Sequence, residues 1–209
     1  MEFGEGIIRA VGIALFRARF PILAVVVAYL VSILAGAVMV HGGNSFALNY
    51  RDKLVGDAVK HDRAAIANNE GDKFRAALLD FSGNLVIGAM PKTIAGMAIV
   101  MPFPLVIYQG WIGGIVSVRG NHTSRLDSPR PALYYLLTLL LQIVPYSFAV
   151  GAGVNVGISL LRPAVCYQGE KWARIFPKES VRDLGRIYVV VIPLFLVASL
   201  WEFLSPWNF

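Results

Sequence analysis

Residues 20–40, FPILAVVVAYLVSILAGAVMV, run for 21 positions without a charged side chain. In water such a segment needs a protein core on every side, whereas about 20 apolar residues suffice to cross the roughly 30 Å hydrocarbon layer of a bilayer. Composition decides between the two. Of 209 residues, 56% are hydrophobic and 15% charged, against about 45–50% and about 25% in soluble domains. That surplus is too large for one aqueous core. Twenty glycines and eleven prolines fit membrane helices, which tolerate both better than soluble ones. The single cysteine, Cys166, can form no internal disulfide and matches no zinc or redox spacing, so a disulfide scaffold is excluded.

The rest of the chain divides by the same measure. Residues 4–19 place Ile7, Ile8, Val11, Leu15 and Phe16 at spacings of one, three and four with arginines elsewhere, which predicts an amphipathic interfacial helix over 1–19. Arginines follow its apolar part and no A-x-A site precedes a polar chain, so it is expected to be retained rather than cleaved. Residues 41–73 mix charges with Asn, Gly and Ala and read as a polar loop containing an amphipathic helix. The membrane core is expected over 74–209. Residues 74–118 suit two spans joined by a turn at Met90-Pro91-Lys92-Thr93, the second kinked by Pro102 and Pro104. Residues 131–163 hold no charge except Arg162. They are too long for one straight crossing and too short for two, which predicts a broken or re-entrant helix at Val144-Pro145-Tyr146-Ser147. Beyond it, Gly151, Gly153 and Gly157 are helix-packing positions. Residues 162–186 are basic and amphipathic around Trp172, Ile175 and Phe176. A last span covers 187–204, with Trp201 and Trp207 suited to an aromatic belt. The expected fold is an all-α integral membrane protein of about five transmembrane helices plus interfacial amphipathic helices.

Nineteen Lys and Arg against thirteen Asp and Glu give +6. The basic residues flank apolar runs, as membrane proteins place them, and argue for lipid rather than nucleic acid as partner. If residues 131–163 cross once, these residues divide ten against nine between the two sides, and no orientation follows. If the stretch returns, they divide four against fifteen.

Polar groups inside apolar runs are expensive and so are the candidates for function. They are Asp80, Asn84, Gln109, Gln142, Asn155 and Glu202. Asp80 and Glu202 also fit carboxylates at an interface, and Lys92 fits a snorkelling turn residue. The amides fit either interhelical hydrogen bonds or, around Gln142 and Asn155, the wall of a polar cavity. Catalytic patterns are missing: His41, His61 and His122 all fall in loops, and there is neither a nucleophile elbow nor a phosphate-binding glycine loop with its lysine. No cofactor is called for and no enzyme is expected.

Several short motifs then fall into a known order. They are Lys73-Phe74-Arg75-Ala76-Ala77-Leu78-Leu79 before a Gly-rich span, Gln109-Gly110 followed by Gly114, and Leu141-Gln142-Ile143 leading to Gly151-Ala152-Gly153-Val154-Asn155-Val156-Gly157. Leu160-Leu161-Arg162-Pro163 follows, and the chain closes on Ala198-Ser199-Leu200-Trp201-Glu202-Phe203-Leu204-Ser205-Pro206. Over roughly residues 72–206 this order resembles the stage II sporulation protein M family of bacterial and archaeal membrane proteins. Two departures are visible: residues 134–138 lack that family's Pro-His-Gly histidine, and its glutamate stands here as Gln142. The resemblance implies a multi-pass protein of a prokaryotic cell membrane, with no enzymatic mechanism to carry across and with membrane protein subunits as partners. Two functions are therefore expected from different classes. One is a non-catalytic subunit that scaffolds or stabilises a larger membrane complex. The other is a small permease or channel component with a polar pathway at a broken helix around Pro145.

Overall fold

The computed structural model describes residues 2–162, 164, 167–172 and 174–206; Pro163, Cys166, Trp207 and the side chain of Trp172 lie outside that set. Most of the chain's apolar residues lie in helices. A 40-residue helix α1 (Glu2–His41) is followed by α2 (Ser45–His61) and α3 (Arg63–Asn69). Next comes α4 (Lys73–Ser82), which runs without interruption through a π-helical segment (Gly83–Ala89) into α5 (Met90–Gly96). After a turn come α6 (Pro102–Ile115), the 33-residue α7 (Pro129–Leu161), a short antiparallel pair β1 (Lys171–Trp172) and β2 (Phe176–Pro177), and α8 (Lys178–Leu204). Three helices, α1, α7 and α8, are long and apolar enough to cross a bilayer.

The expected five long spans are thus three, and the physical reasons lie at the prolines. Pro145 does not break α7, which stays helical from end to end. Pro21 in α1 and Pro193 in α8 are absorbed in the same way, since neighbouring helices in lipid re-satisfy the few backbone groups a proline frees. Pro91 makes no turn either. It opens α5 directly after the π segment, where wider hydrogen-bonded turns give room to the missing N–H. The break falls instead at residues 97–101, where Ile99 adopts a left-handed φ of 62°, rare for a β-branched residue. Pro102 and Pro104 then sit in the first turn of α6, where proline starts a helix rather than kinking it. The expected boundary near residue 19 is absent as well, because α1 is continuous and its N-terminal half buries Val11, Ala14 and Ala18 against protein. Residues 171–172 pair with 176–177 as two short antiparallel strands where an amphipathic pattern was expected.

In the polar segment, Asn44, Asp62 and Asp72 each accept a hydrogen bond from a backbone N–H three residues on. These three N-caps divide residues 45–82 into α2, α3 and α4.

Helices meet at very short range. A Cβ on Gly36 of α1 would fall 2.4 Å from the Trp111 carbonyl, and one on Gly114 of α6 would fall 2.1 Å from the Ile33 carbonyl. With Gly110 against Ser32, this is a small-xxx-small seam between α1 and α6. The shared core joins Ala18, Ile22 and Val25 of α1 to Val150 and Val154 of α7 and Ile187, Val191 and Phe195 of α8. Large apolar side chains also point outward along α1, with Phe20, Leu34 and Val38 about two-thirds exposed. A surface of this kind suits lipid rather than water.

Candidate functional site: a polar chamber between the helices

Five of the six sequence-predicted polar residues line one chamber. Asp80 of α4, Asn84 of the π segment, Gln109 of α6, Gln142 of α7 and Glu202 of α8 surround a cavity of about 250 Å³, together with Tyr29, Thr138 and Tyr146. Asp80 and Asn84 are neighbours one turn apart, but Gln109, Gln142 and Glu202 come from three other helices, so no local pattern in the sequence announces the meeting of the five.

A chain of hydrogen bonds ties the wall together. The Ser199 hydroxyl donates to Asp80 Oδ2 at 2.6 Å, and Asn84 Nδ2 donates to the same oxygen at 2.9 Å. Tyr146 Oη donates to Asn84 Oδ1 at 2.8 Å. On the far side Tyr29 Oη donates to Gln109 Oε1 at 3.0 Å, as does the Lys92 ammonium, which also lies 4.4 Å from the centroid of the Tyr146 ring. Gln142 Nε2 donates to Glu202 Oε2 at 3.2 Å. Asp80 is therefore held by two neutral donors, which serve a half-buried carboxyl group without bringing a cation to it. Lys92, expected at a turn and free to snorkel, instead stands on α5 with its ammonium turned into the bundle. Its stem is anchored one residue from Thr93, whose hydroxyl bonds the Ala89 and Ala149 carbonyls and the Tyr188 hydroxyl.

Glycine makes the approach possible on one wall. A Cβ on Gly88 would fall 2.2 Å from the Tyr146 hydroxyl, so the π segment lets this phenol lie against bare backbone. Tyr146 is further fixed edge-on to Phe195, with ring centroids 4.8 Å apart at 81°.

The chamber adjoins a wider space. A vestibule of about 550 Å³ lies beneath α2 and α3, bordered by Asp62, Asn68 and Arg125, and it shares Asp80, Thr138, Leu139 and Glu202 with the chamber. A third hollow of about 610 Å³, next to His61, Asp62 and Arg63, shares Asp80, Asn84 and Tyr146 with it. The two carboxylates thus stand in the partition between a polar, loop-facing space and the interior. Tyr134 Oη donates to the Glu202 carbonyl at 2.7 Å, and Trp201 Nε1 donates to Thr138 Oγ1 at 3.2 Å; these bonds hold the end of α8 against α7 and fix the partition.

Asn155 lies elsewhere. Its Nδ2 donates to Tyr167 Oη at 2.8 Å, and that hydroxyl donates to Asp183 Oδ2 at 3.1 Å. Asp183 is fully buried and also takes Arg17 at 3.0 Å and Arg186 at 2.6 Å. This second network clamps the N-terminal half of α1 to the start of α8. Sequence reasoning missed Asp183 because it sits in a charged stretch; the available signal was its position four residues before the uncharged run that begins at Ile187.

The three glycines are packing positions within the chain. Cβ atoms on Gly151, Gly153 and Gly157 would fall 2.8 Å or less from Ile22, 2.1 Å from the Thr93 carbonyl and 2.4 Å from the Met97 carbonyl respectively. At the loop end, His41 bonds the Ala37 carbonyl and Ser124, and His122 bonds Asp52. His122 and then Arg51 hold the Asp52 carboxyl below the usual carboxylate range. Among the described residues no group of three or more His, Cys, Asp or Glu side chains is placed to hold a metal ion.

No family model matches this chain, and no curated protein or solved structure is significantly similar to it.

Proposed function

We propose that the chain is a small multi-pass permease or channel component of a prokaryotic cell membrane, and that its polar pathway runs through the chamber rather than through a break at Pro145. The supporting observation is the convergence of Asp80, Asn84, Gln109, Gln142 and Glu202 on one cavity that borders a loop-facing vestibule. Such groups are costly in a membrane and gather where an ion or polar solute is handled. In this reading the helix from Lys73 through Gly96 and the shorter α6 also cross the bilayer, which makes five crossings, these two joined by the turn at residues 97–101, where Val100 and Met101 are exposed. The solute is small and polar or cationic, taken up between carboxylates and amides, and no chemical step is required of the chain.

The scaffold reading draws less support. Its glycine-rich faces at Gly151, Gly153 and Gly157 are covered by α1, α5 and the turn that follows α5 within the same chain, and so are not open to other subunits.

The test is flux across vesicles containing the purified protein alone, read with pH- and cation-sensitive dyes. Glu202→Gln and Asp80→Asn are expected to lower flux about tenfold or more, equivalent to about 1.4 kcal/mol on the barrier, with the fold intact by circular dichroism. An inert wild-type protein that co-purifies with other membrane proteins in fixed ratio would overturn the pathway and favour the scaffold.

A further inference from the structure

Nearer the N-terminus of α1 than its seam with α6, a groove between α1 and α7 combines arginine with an apolar floor. Its outer part, about 350 Å³, is lined by Phe16, Arg17, Arg19, Phe20, Asn155 and Arg162 among others. It shares Arg19 and Phe20 with a second hollow of about 410 Å³, whose other walls are Leu15, Ile22, Leu23, Val26 and Phe148. We propose that this groove is a binding site for a phospholipid with an anionic headgroup.

Charge complementarity selects this occupant. Arg17 is engaged with Asp183 and Glu179, but Arg19 and Arg162 are exposed, and among the described residues neither has an acidic partner within 4 Å. Arg19 lies across the rings of Phe16 and Phe20, at 3.7 and 4.8 Å from their centroids, an arrangement that keeps the guanidinium edge available to a phosphate. The nearby carboxylates of Asp183 and Glu179 are already paired with Arg17, Arg186 and Arg182. A phosphate placed here therefore meets uncompensated cations.

Depth agrees. Arg19 precedes the uncharged run of α1, and Arg162 follows the end of α7, so both arginines sit where a headgroup lies. From Arg19 the apolar hollow continues along α1 to Val26, about 10 Å at 1.5 Å per residue, enough for the upper part of an acyl chain. Free phosphate would engage the arginines and leave that hollow unfilled. A zwitterionic lipid would fill it but bring its own ammonium beside the phosphate, offsetting the charge that the arginines meet.

Delipidated protein in detergent is titrated with phosphatidylglycerol, phosphatidylcholine and inorganic phosphate, and lipid retention is read by native mass spectrometry. Phosphatidylglycerol is expected to bind at least about tenfold more tightly than phosphatidylcholine. Arg19→Gln and Arg162→Gln are each expected to weaken it about fivefold, the effect of one basic residue near an anionic lipid surface. Equal retention of the two lipids, unchanged binding in the double variant, or displacement of lipid by equimolar phosphate would each overturn the assignment. A photoactivatable phosphatidylglycerol on the unmodified protein keeps the proposal testable where a variant fails to fold. Labels concentrated in residues 15–26 and 148–162 support it, and labels spread evenly around the bundle, or absent there because a second copy covers the face, refute it.

Discussion

The two halves of α7, before and after Pro145, are built on opposite rules. Beyond the proline the helix is buried almost throughout, and Gly151, Gly153 and Gly157 bring its backbone against α1, α5 and the turn after α5. Before it, the helix is only half-buried, and its contacts are made by reach: Tyr134 to the Glu202 carbonyl, Tyr135 to the Gly113 carbonyl and Gln142 to the Glu202 carboxylate. The first arrangement leaves no space and the second leaves a chamber. A cavity with fixed walls needs both, because long side chains hold a geometry only when the helices that carry them cannot slide.

Breaking the close-packed half should have the largest effect. Gly153→Leu forces a side chain into the Thr93 backbone and is expected to cost about 3 kcal/mol or more, read as a lower thermal unfolding midpoint in detergent, whereas Gly185→Ala, which meets nothing within 4 Å, should hold it or raise it slightly, by about 0.4–1 kcal/mol. Next in size is Asp183→Asn, which removes the partner of Arg17 and Arg186 beside the same half of α7. Breaking a buried pair costs about 3–5 kcal/mol, but the two arginine side chains are 26% and 33% exposed, and screening reduces the expected loss to about 2 kcal/mol. An unshifted unfolding midpoint would show that the clamp contributes nothing.

Residues that face the chamber should respond differently, and Tyr146 is one of them although it lies just beyond the proline. Tyr146→Phe deletes the bond to Asn84 and is expected to cost only about 0.6–1 kcal/mol of stability, yet to lower vesicle flux by more than the Gly185→Ala control. Equal flux in the two variants would separate the chamber from transport. The smallest effect lies at the loop end near the start of α7. Because the Asp52 carboxyl is held low, its contribution is complete above the ordinary carboxylate pKa and is lost as pH falls through the lowered one. Amide exchange in residues 117–125 should therefore quicken only at acidic pH, and Asp52→Asn should remove that dependence.

The sequence made the chamber's members visible and hid their arrangement. Asp80, Asn84, Gln109, Gln142 and Glu202 stand out because each interrupts an apolar run, and that cost is local. Their convergence is not local, which is why Asn155, chosen on the same ground, belongs to another network. Lys92 was misplaced because Pro91 reads as a turn, and nothing in the preceding residues signals a π-helical segment. The break of the bundle carries only the start signal of Pro102 and Pro104, with the unusual backbone on Ile99, a residue whose type predicts the reverse. Pro145 gave the stronger signal and proved compatible with a continuous helix.

The widened turns at Gly83–Ala89 also set a phase. A π segment takes in more residues per turn than an α-helix, so it absorbs a residue that in regular α-helix would rotate one flank against the other by about 100°. The widened turns thus keep Asp80 facing Ser199 and Lys92 facing Gln109 along one continuous helix. The relative facing of the chamber's acidic and basic walls is in this sense a matter of how many residues one stretch of backbone can hold per turn.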